Sequence, residues 1–398
     1  MGAGPPGKKI ISYKSMEPEI QYLEKWLQEA ELLARKIRDQ ADRKNGMAVF
    51  TISATVKAQD KRKPFLTPLR QITHGSVGGS LVFSQTQAAL LCRQIDGIVD
   101  WILVDAEKKI PISFGYNQKI LSHFKLELLG RKIGYSREHI EMGNLSAVCA
   151  LYVKQSDLHE FKANDITVDS VWHVLSHAKG VLSGKKIAII GAGNIGFKLA
   201  QRLVESGCSV DLMRRDTARG TLMADLINAV KPKSTLAVAH YNPDPLQASV
   251  FSDAIIGCTN GVPVITWEMM QAMRPDGVVI DVGKGTIHGD ALRKGLEDGV
   301  RIIRTDVAPG IDGLIATIRS TKNLMTNVMG RKRISDDINV VSGGYMGLDG
   351  DVVVDNYEHP TYIVGISDGN GDIKKDHSEI DAAHLDAVEK FICMEKQL

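Results

Sequence analysis

Residues 185–207 read KKIAIIGAGNIGFKLAQRLVESG, and the reading of the fold starts here. KKIAII is a strand of the apolar kind that lies buried inside a parallel sheet. Gly191-Ala192-Gly193-Asn194-Ile195-Gly196 then fits G-x-G-x-x-G, directly after that strand and at the opening of an amphipathic helix. That context separates a phosphate-binding turn from a chance match. Gly191 permits the tight turn, Gly193 lets a pyrophosphate approach the backbone, and Gly196 lets the helix pack closely on the strand. Free N–H groups at the helix start meet the negative charge. Gly191, Gly193, Asn194, Ile195 and Gly196 are therefore the first candidate cofactor-binding residues.

Working outward, the same alternation continues. CSVDLM, STLAVA, SDAIIGC, GVVIDV and VRIIR read as further strands, with helices over TARGTLMADLINAV and ITWEMMQAM between some of them. Strands alternating with short helices predict right-handed βαβ units and a parallel, doubly wound sheet of six strands. The end of the second strand chooses the cofactor. An NAD site places Asp or Glu there for the ribose 2′-hydroxyl. This chain has Arg214 and Arg215, with Arg219 close behind, while Asp211 falls earlier, inside the strand. The planar fork of arginine suits a phosphate, so the expected cofactor is NADP rather than NAD. Two loops after strands border the expected nicotinamide position: Thr259-Asn260-Gly261, and Val282-Gly283 followed by Lys284, a candidate substrate contact.

The four segments GKKIAIIGAGNIG, MRRDT, SDAIIGCTNG and RPDGVVIDVG, in this order and at these intervals, resemble the Rossmann domain shared by shikimate dehydrogenase, methylenetetrahydrofolate dehydrogenase, glutamyl-tRNA reductase and adenosylhomocysteine hydrolase. The resemblance covers about residues 165 to 310. MRRDT is similar to the Asn-Arg-Thr motif of shikimate dehydrogenases, with Met213 in place of the Asn. The resemblance implies that substrate-contacting residues lie near Asn164-Asp165-Ile166-Thr167, before a helix over 168–181. The N-terminal part departs from each relative. It lacks N-V-T-x-P-x-K, it spaces Tyr116 and Lys119 one residue short of the folate-dehydrogenase pattern, and it shows no catalytic-cysteine motif of the tRNA reductases.

Toward the N-terminus, Leu23, Trp26, Leu27, Ala30, Leu33 and Ile37 recur at helical spacing in a helix over 19–44. A strand over 47–56, a helix over 84–98, the WILV strand of Trp101–Val104 and a helix over 116–129 complete a small α/β domain. Lys109, just past that strand, can protonate or polarise a substrate oxygen, with Asp105 orienting it. Asp165 is a second candidate acid or base, or equally an N-cap. His74, in the glycine-rich run 73–79, is a candidate substrate contact in a mobile or close-approach loop. His173 and His177 stand four apart on one helix but lack the Glu and third ligand of a zinc site, so no metal is expected. Beyond 325 the texture turns glycine- and aspartate-rich, which reads as a hairpin appendage and a final helix over 382–395. DGDVVVD and SDGNGDI lack EF-hand spacing.

Composition bounds the function. The chain has 398 residues, 43% hydrophobic and 24% charged, with 49 basic against 47 acidic residues. Near-neutral charge argues against nucleic acid, and no stretch is apolar enough for a membrane span. Met1-Gly2 lacks the rest of a myristoylation signal, since Pro6 stands where Ser or Thr is needed. The N-terminus has no secretory h-region. The five scattered cysteines fit reduced thiols of a cytoplasmic protein. The expected organisation is a substrate and catalytic domain over 1–165, a Rossmann domain over 166–325 and the glycine-rich segment over 326–398, in a homo-oligomer. The expected function is an NADP-dependent oxidoreductase passing hydride to or from a small polar metabolite in an interdomain cleft. The alternatives are a lyase or hydrolase holding NAD for transient oxidation, and a non-catalytic dinucleotide sensor.

Overall fold

The computed structural model describes residues 17–54, 63–107, 118–126 and 145–395. The chain divides into a unit over 1–312 and a unit over 313–398. Among the described residues no helix is long and apolar enough to cross a membrane.

The first unit opens with helix α1 (Glu17–Asp42). Its Leu23, Trp26, Leu27, Ala30 and Ile37 are buried, as the spacing predicts, and the Trp26 indole donates to Ser80 Oγ at 3.1 Å. Behind it lies a five-stranded sheet of β1 (Met47–Ser53), β2 (Phe65–Ile72), β3 (Gly75–Leu81), β4 (Trp101–Asp105) and β5 (Asp157–Phe161), in the order β2-β3-β1-β4-β5. All neighbours run parallel except β2 with β3. Helices α2 (Gln85–Ile95), α3 (Gln118–His123) and α4 (Ser146–Tyr152) complete this half. The glycine-rich run expected to be a loop is instead strand β3. A Cβ on Gly75 would lie 2.0 Å from the Met47 carbonyl oxygen, and one on Gly79 would lie 2.1 Å from Thr51 Oγ1. Glycine here allows strand contact rather than mobility.

Helix α5 (Ala163–Lys179) leads into the second sheet. It starts five residues before the expected position, so Asn164 and Asp165 lie in its first turn. Lys162 takes the N-cap position with no side-chain cap bond, so Asp165 is not the cap, and the Thr167 hydroxyl donates to the Ala163 carbonyl at 2.9 Å. The sheet comprises β6 (Lys186–Ile190), β7 (Ser209–Met213), β8 (Ala239–Tyr241), β9 (Ala254–Gly257), β10 (Val278–Asp281) and β11 (Arg301–Arg304). All pairs are parallel, in the order β11-β10-β9-β6-β7-β8. This is the doubly wound dinucleotide-binding order. Ile187 and Ile189 pack into the core on one face, and Ala188 and Ile190 into that on the other. A strand buried on both faces must be apolar throughout, which is why these runs do not alternate.

Helices α6 (Asn194–Glu205), α7 (Thr217–Val230), α8 (Pro245–Ser249), α9 (Trp267–Ala272), α10 (Gly289–Glu297) and α11 (Ala308–Asn323) accompany the strands. The third strand is not STLAVA. The side chain of Asn228 clamps Ala239 by both its N–H and its carbonyl, at 2.9 and 2.8 Å, and β8 begins only at this last residue of the earlier segment. Leu236, inside the expected strand, is 95% exposed. The short α8 and the glycine-bearing α10 and α11 are not visible in the sequence pattern, because proline and glycine read as breakers.

The second unit contains β12 (Gly330–Arg333), β13 (Asn339–Ser342), β14 (Val352–Val354) and β15 (Ile363–Ile366), followed by helix α12 (Glu379–Glu395). Instead of a plain hairpin the strands form one sheet in chain order, with β13 and β14 parallel. Val340, Val352, Val354 and Ile366 pack with Val388 and Ile392 of α12. Ser378 and Asp381 bond reciprocally through side chain and backbone, a capping box that starts the helix.

Ile189 is fully buried under the glycine turn. Ile189→Ala is expected to destabilise the protein by about 2–5 kcal/mol, read as a lowered urea midpoint at unchanged slope.

Candidate functional site

The turn after β6 has the geometry its sequence requires. Gly191 has φ +101°, and a Cβ there would lie 2.7 Å from the Thr259 amide nitrogen. Around the Cβ direction of Gly193 there is open space. A Cβ on Gly196 would lie 2.8 Å from the Gly191 carbonyl oxygen and 3.1 Å from Ile189 Cγ2. One glycine makes the turn, one leaves room over the backbone, and one lets α6 settle on β6. No side chain caps the start of α6 at Gly193, and its first turn carries no acid. The Asn194 and Ile195 end is thus ready for an anion.

The loops after β9 and β10 close on this turn. A Cβ on Gly283 would fall 1.8 Å from the Thr259 carbonyl oxygen. Val282 and Gly283 both donate to the Gly257 carbonyl at 2.9 Å. Thr259 Oγ1 donates to the Val262 carbonyl at 2.6 Å, pinning the turn that contains Asn260 and Gly261. The structure therefore brings Gly191, Thr259 and Gly283 together at the strand ends where the sheet order reverses. Asn260 and Lys284 are exposed beside them. Lys284 holds φ +56°, a conformation costly for a side chain, while Asp281 fixes the loop by accepting from Gly285 N and Thr286 Oγ1 at 2.8 and 2.9 Å. Burial and then the Asp281 charge push the Cys258 thiol up to about 12, which disfavours the thiolate.

At the end of β7, Arg214 Nη1 donates to the Ala192 carbonyl, and its Nε is buried with no hydrogen-bond partner among the described residues. Arg215 and Arg219 are exposed, and Arg219 pairs with Asp216 at 3.4 Å. Neither nearby acid is free for a ribose. Asp211 is buried against Lys186 at 2.9 Å, and Asp216 caps α7 by accepting from Arg219 N.

A charged cluster joins the two sheets of the first unit. Lys198, on α6, bonds to Asp165 on α5 and lies 3.9 Å from Glu107 just beyond β4. Lys162 approaches Asp165 to 3.0 Å. Burial acts to raise the Asp165 pKa, but the bonds from Lys198 and Lys162 prevail and hold it below the ordinary value. Asp165 is therefore an anion near neutrality and unsuited to donate a proton. Asp105 is fully buried and accepts from Glu107 N at 3.1 Å. Lys109, which it would orient, lies outside the described residues, as do Tyr116 and Asn117. Asn164 is half-buried in the first turn of α5.

His74 sits elsewhere. Its Nδ1 is 2.6 Å from Asp312 Oδ1, whose carboxylate also accepts from the Thr73 and His74 amides. Gly75 pairs with Met47 at the start of β1, whereas Val104 pairs with Ile52 near its end. His74 and Asp105 thus mark opposite ends of the sheet, roughly 20 Å apart at 3.3 Å per residue. His173 and His177 are exposed on α5.

Residues 159–310 match the model of the NAD-binding domain of D-isomer specific 2-hydroxyacid dehydrogenases. A glyoxylate/hydroxypyruvate reductase of Arabidopsis thaliana is 28% identical over 124 residues, which is 30% of this chain and 33% of that protein. The chain therefore spans about a third of the length of this curated relative. Among solved structures, L-tryptophan dehydrogenase from Nostoc punctiforme matches at 12% identity and a TM-score of 0.38, over 70% of this chain and 75% of that one. A dipicolinate synthase chain from Bacillus halodurans matches at 15% identity and a TM-score of 0.33, over 69% and 96%. Residues 159–310 thus form a Rossmann-type NAD-binding domain.

Sequence reading of the Rossmann domain misses Lys198 and Glu107. Glu107 stands in the charged run after β4 that holds other candidates, so its neighbourhood is marked. Lys198 carries no signal, since a lysine on an amphipathic helix usually faces solvent. Asp165→Asn is expected to lower the melting temperature at pH 7. The stabilisation from a carboxylate with a lowered folded pKa is present above the unfolded value, about 3.9, and fades as pH falls through the folded value. The gap between variant and parent in calorimetry should be constant from pH 5 to 7 and shrink below about pH 4.

Proposed function

We propose that the protein is an NADP-dependent oxidoreductase that transfers hydride between the nicotinamide and a small polar metabolite bearing a carbonyl, hydroxyl, imine or amine. The substrate would lie where the N-terminal sheet and the Rossmann domain meet. The observation that carries this reading is the joined set of glycine-only contacts at Gly191, Thr259 and Gly283, beside the open backbone at Gly193. Nothing with a side chain fits there, yet space is kept over the helix start. The matched family model supports a dehydrogenase domain.

The cofactor would supply the hydride, and this chain's residues would bind and orient it. The amides at Asn194 and Ile195 would meet the pyrophosphate, and Thr259, Asn260, Gly261, Val282 and Gly283 would line the nicotinamide side. Preference for NADP is supported by two arginines after β7 and by the prior commitment of Asp211 and Asp216 to other bonds. The buried Nε of Arg214, unpartnered among the described residues, is a donor awaiting an acceptor. Asp165 would serve as a fixed carboxylate that positions Lys198, leaving proton transfer to Lys109. Asn164 and Lys284 would touch the substrate.

Titration with NADPH and NADH, followed by nicotinamide fluorescence, tests the proposal. NADPH should bind well below millimolar, and no binding of either cofactor would remove the reading. The exposed Arg215 makes no side-chain bond among the described residues. Arg215→Ala should therefore weaken NADPH about 10-fold or more while sparing NADH, as expected for one lost charged hydrogen bond. Arg214→Ala should weaken both, because it also frees the Ala192 carbonyl of the phosphate turn. In steady-state kinetics, Lys109→Met should cut kcat by about 10²-fold or more with little change in NADPH affinity.

A further inference from the structure

In the second unit, the face of the sheet turned away from α12 carries a pocket that the dinucleotide reading does not use. Strand β12 presents Arg331 and Arg333 two residues apart, hence on one face. Asn339 pairs directly with Arg333 across the antiparallel ladder, so its side chain shares that face. The core side is the other one, since Lys332 pairs with Val340, which packs on α12. Arg331, Arg333, Asn339 and Tyr345 together line a shallow, open depression of about 540 Å³.

Both guanidiniums are held from behind. Arg331 grips Asp351 bidentately, Nε to Oδ2 at 2.8 Å and Nη2 to Oδ1 at 3.0 Å. That carboxylate is itself buried and also accepts from Leu348 N at 2.9 Å. Arg333 donates from Nε to the Ser335 carbonyl at 3.1 Å and from Nη2 to the Asp336 carbonyl. In each case the Nε/Nη2 edge is used within the unit, which leaves both N–H of Nη1 and the second N–H of Nη2 to donate. Two arginines so fixed have already lost much of the rotamer entropy that an anion would otherwise have to overcome. Among the described residues Arg331 pairs with a carboxylate, whereas Arg333 makes no ion pair and bonds only backbone carbonyls. Asn339 adds an amide, and the half-exposed Tyr345 adds a ring and a hydroxyl.

We propose that this pocket is a binding site for a small metabolite bearing an oxyanion group that two guanidiniums can share, either a phosphate or a dicarboxylate. The polar lining and the paired forks suit charged oxygens rather than an apolar ligand. Neither the glycine turn nor the Arg214 region contributes to it.

Titration of the full chain by calorimetry, with inorganic phosphate and separately with succinate, tests this, with hydrogen exchange read by mass spectrometry to locate the ligand. At least one probe should bind with protection at residues 330–346. Arg333→Gln should weaken that binding at least tenfold, and Arg331→Lys, which keeps the charge toward Asp351, should weaken it through loss of the fork. Arg215→Ala should leave it unchanged. Which probe binds separates the phosphate source from the dicarboxylate source. The proposal is overturned if neither probe binds at 10 mM, if Arg333→Gln binds as tightly as the parent, or if protection appears only at residues 191–196.

Discussion

The architecture of the first unit depends on the absence of a Cβ where strand-end loops converge. Gly191, Gly196 and Gly283 each sit where a single added carbon would fall between 1.8 and 2.8 Å from backbone atoms of a neighbouring segment. Contacts this short are with main chain, which cannot swing aside as a flexible side chain can. The turn after β6, the loop after β9 and the loop after β10 therefore lock into one surface. Because no side chains fill that surface, the helix-start amides and the reversal point of the sheet stay accessible to a ligand. The same device, at Gly75 and Gly79, brings β3 against β1 in the other sheet.

Around this fixed surface the structure places charges that would be costly if unpaired. Asp165 gains ionisation from two lysines despite partial burial, and Lys198 reaches from the nucleotide-binding helix toward the end of β4. The cluster thus ties α5, α6 and the N-terminal sheet by bonds that require all three to be in register.

Much of the Rossmann half was legible because each βαβ unit is local. A buried strand, a turn and a helix span about 25 residues, and each states its identity in apolar runs and glycines. The N-terminal sheet was harder. β3 reads as loop because its glycines mimic breakers, the proline in β2 hides that strand, and β5 (DLHEF) carries charges at two of its five positions. Of the candidate residues, the glycine-turn set and the two loops lie together, whereas His74 faces Asp312 at the far end of its sheet. Histidine beside glycines is an ambiguous signal, because glycine serves close packing as readily as motion.

The sequence by itself determined the glycine turn after β6, the parallel doubly wound sheet and the arginines in place of an acid after β7. Those features depend on neighbours within a few residues, so spacing is enough to read them. Only the tertiary structure decided that Asp211 is committed to Lys186, that Asp165 is held between lysines, and that Arg331 and Arg333 share a pocket with Asn339 and Tyr345. Each of those outcomes rests on partners brought together by strand register and helix packing, and the sign and availability of a charge follow from what the fold sets beside it.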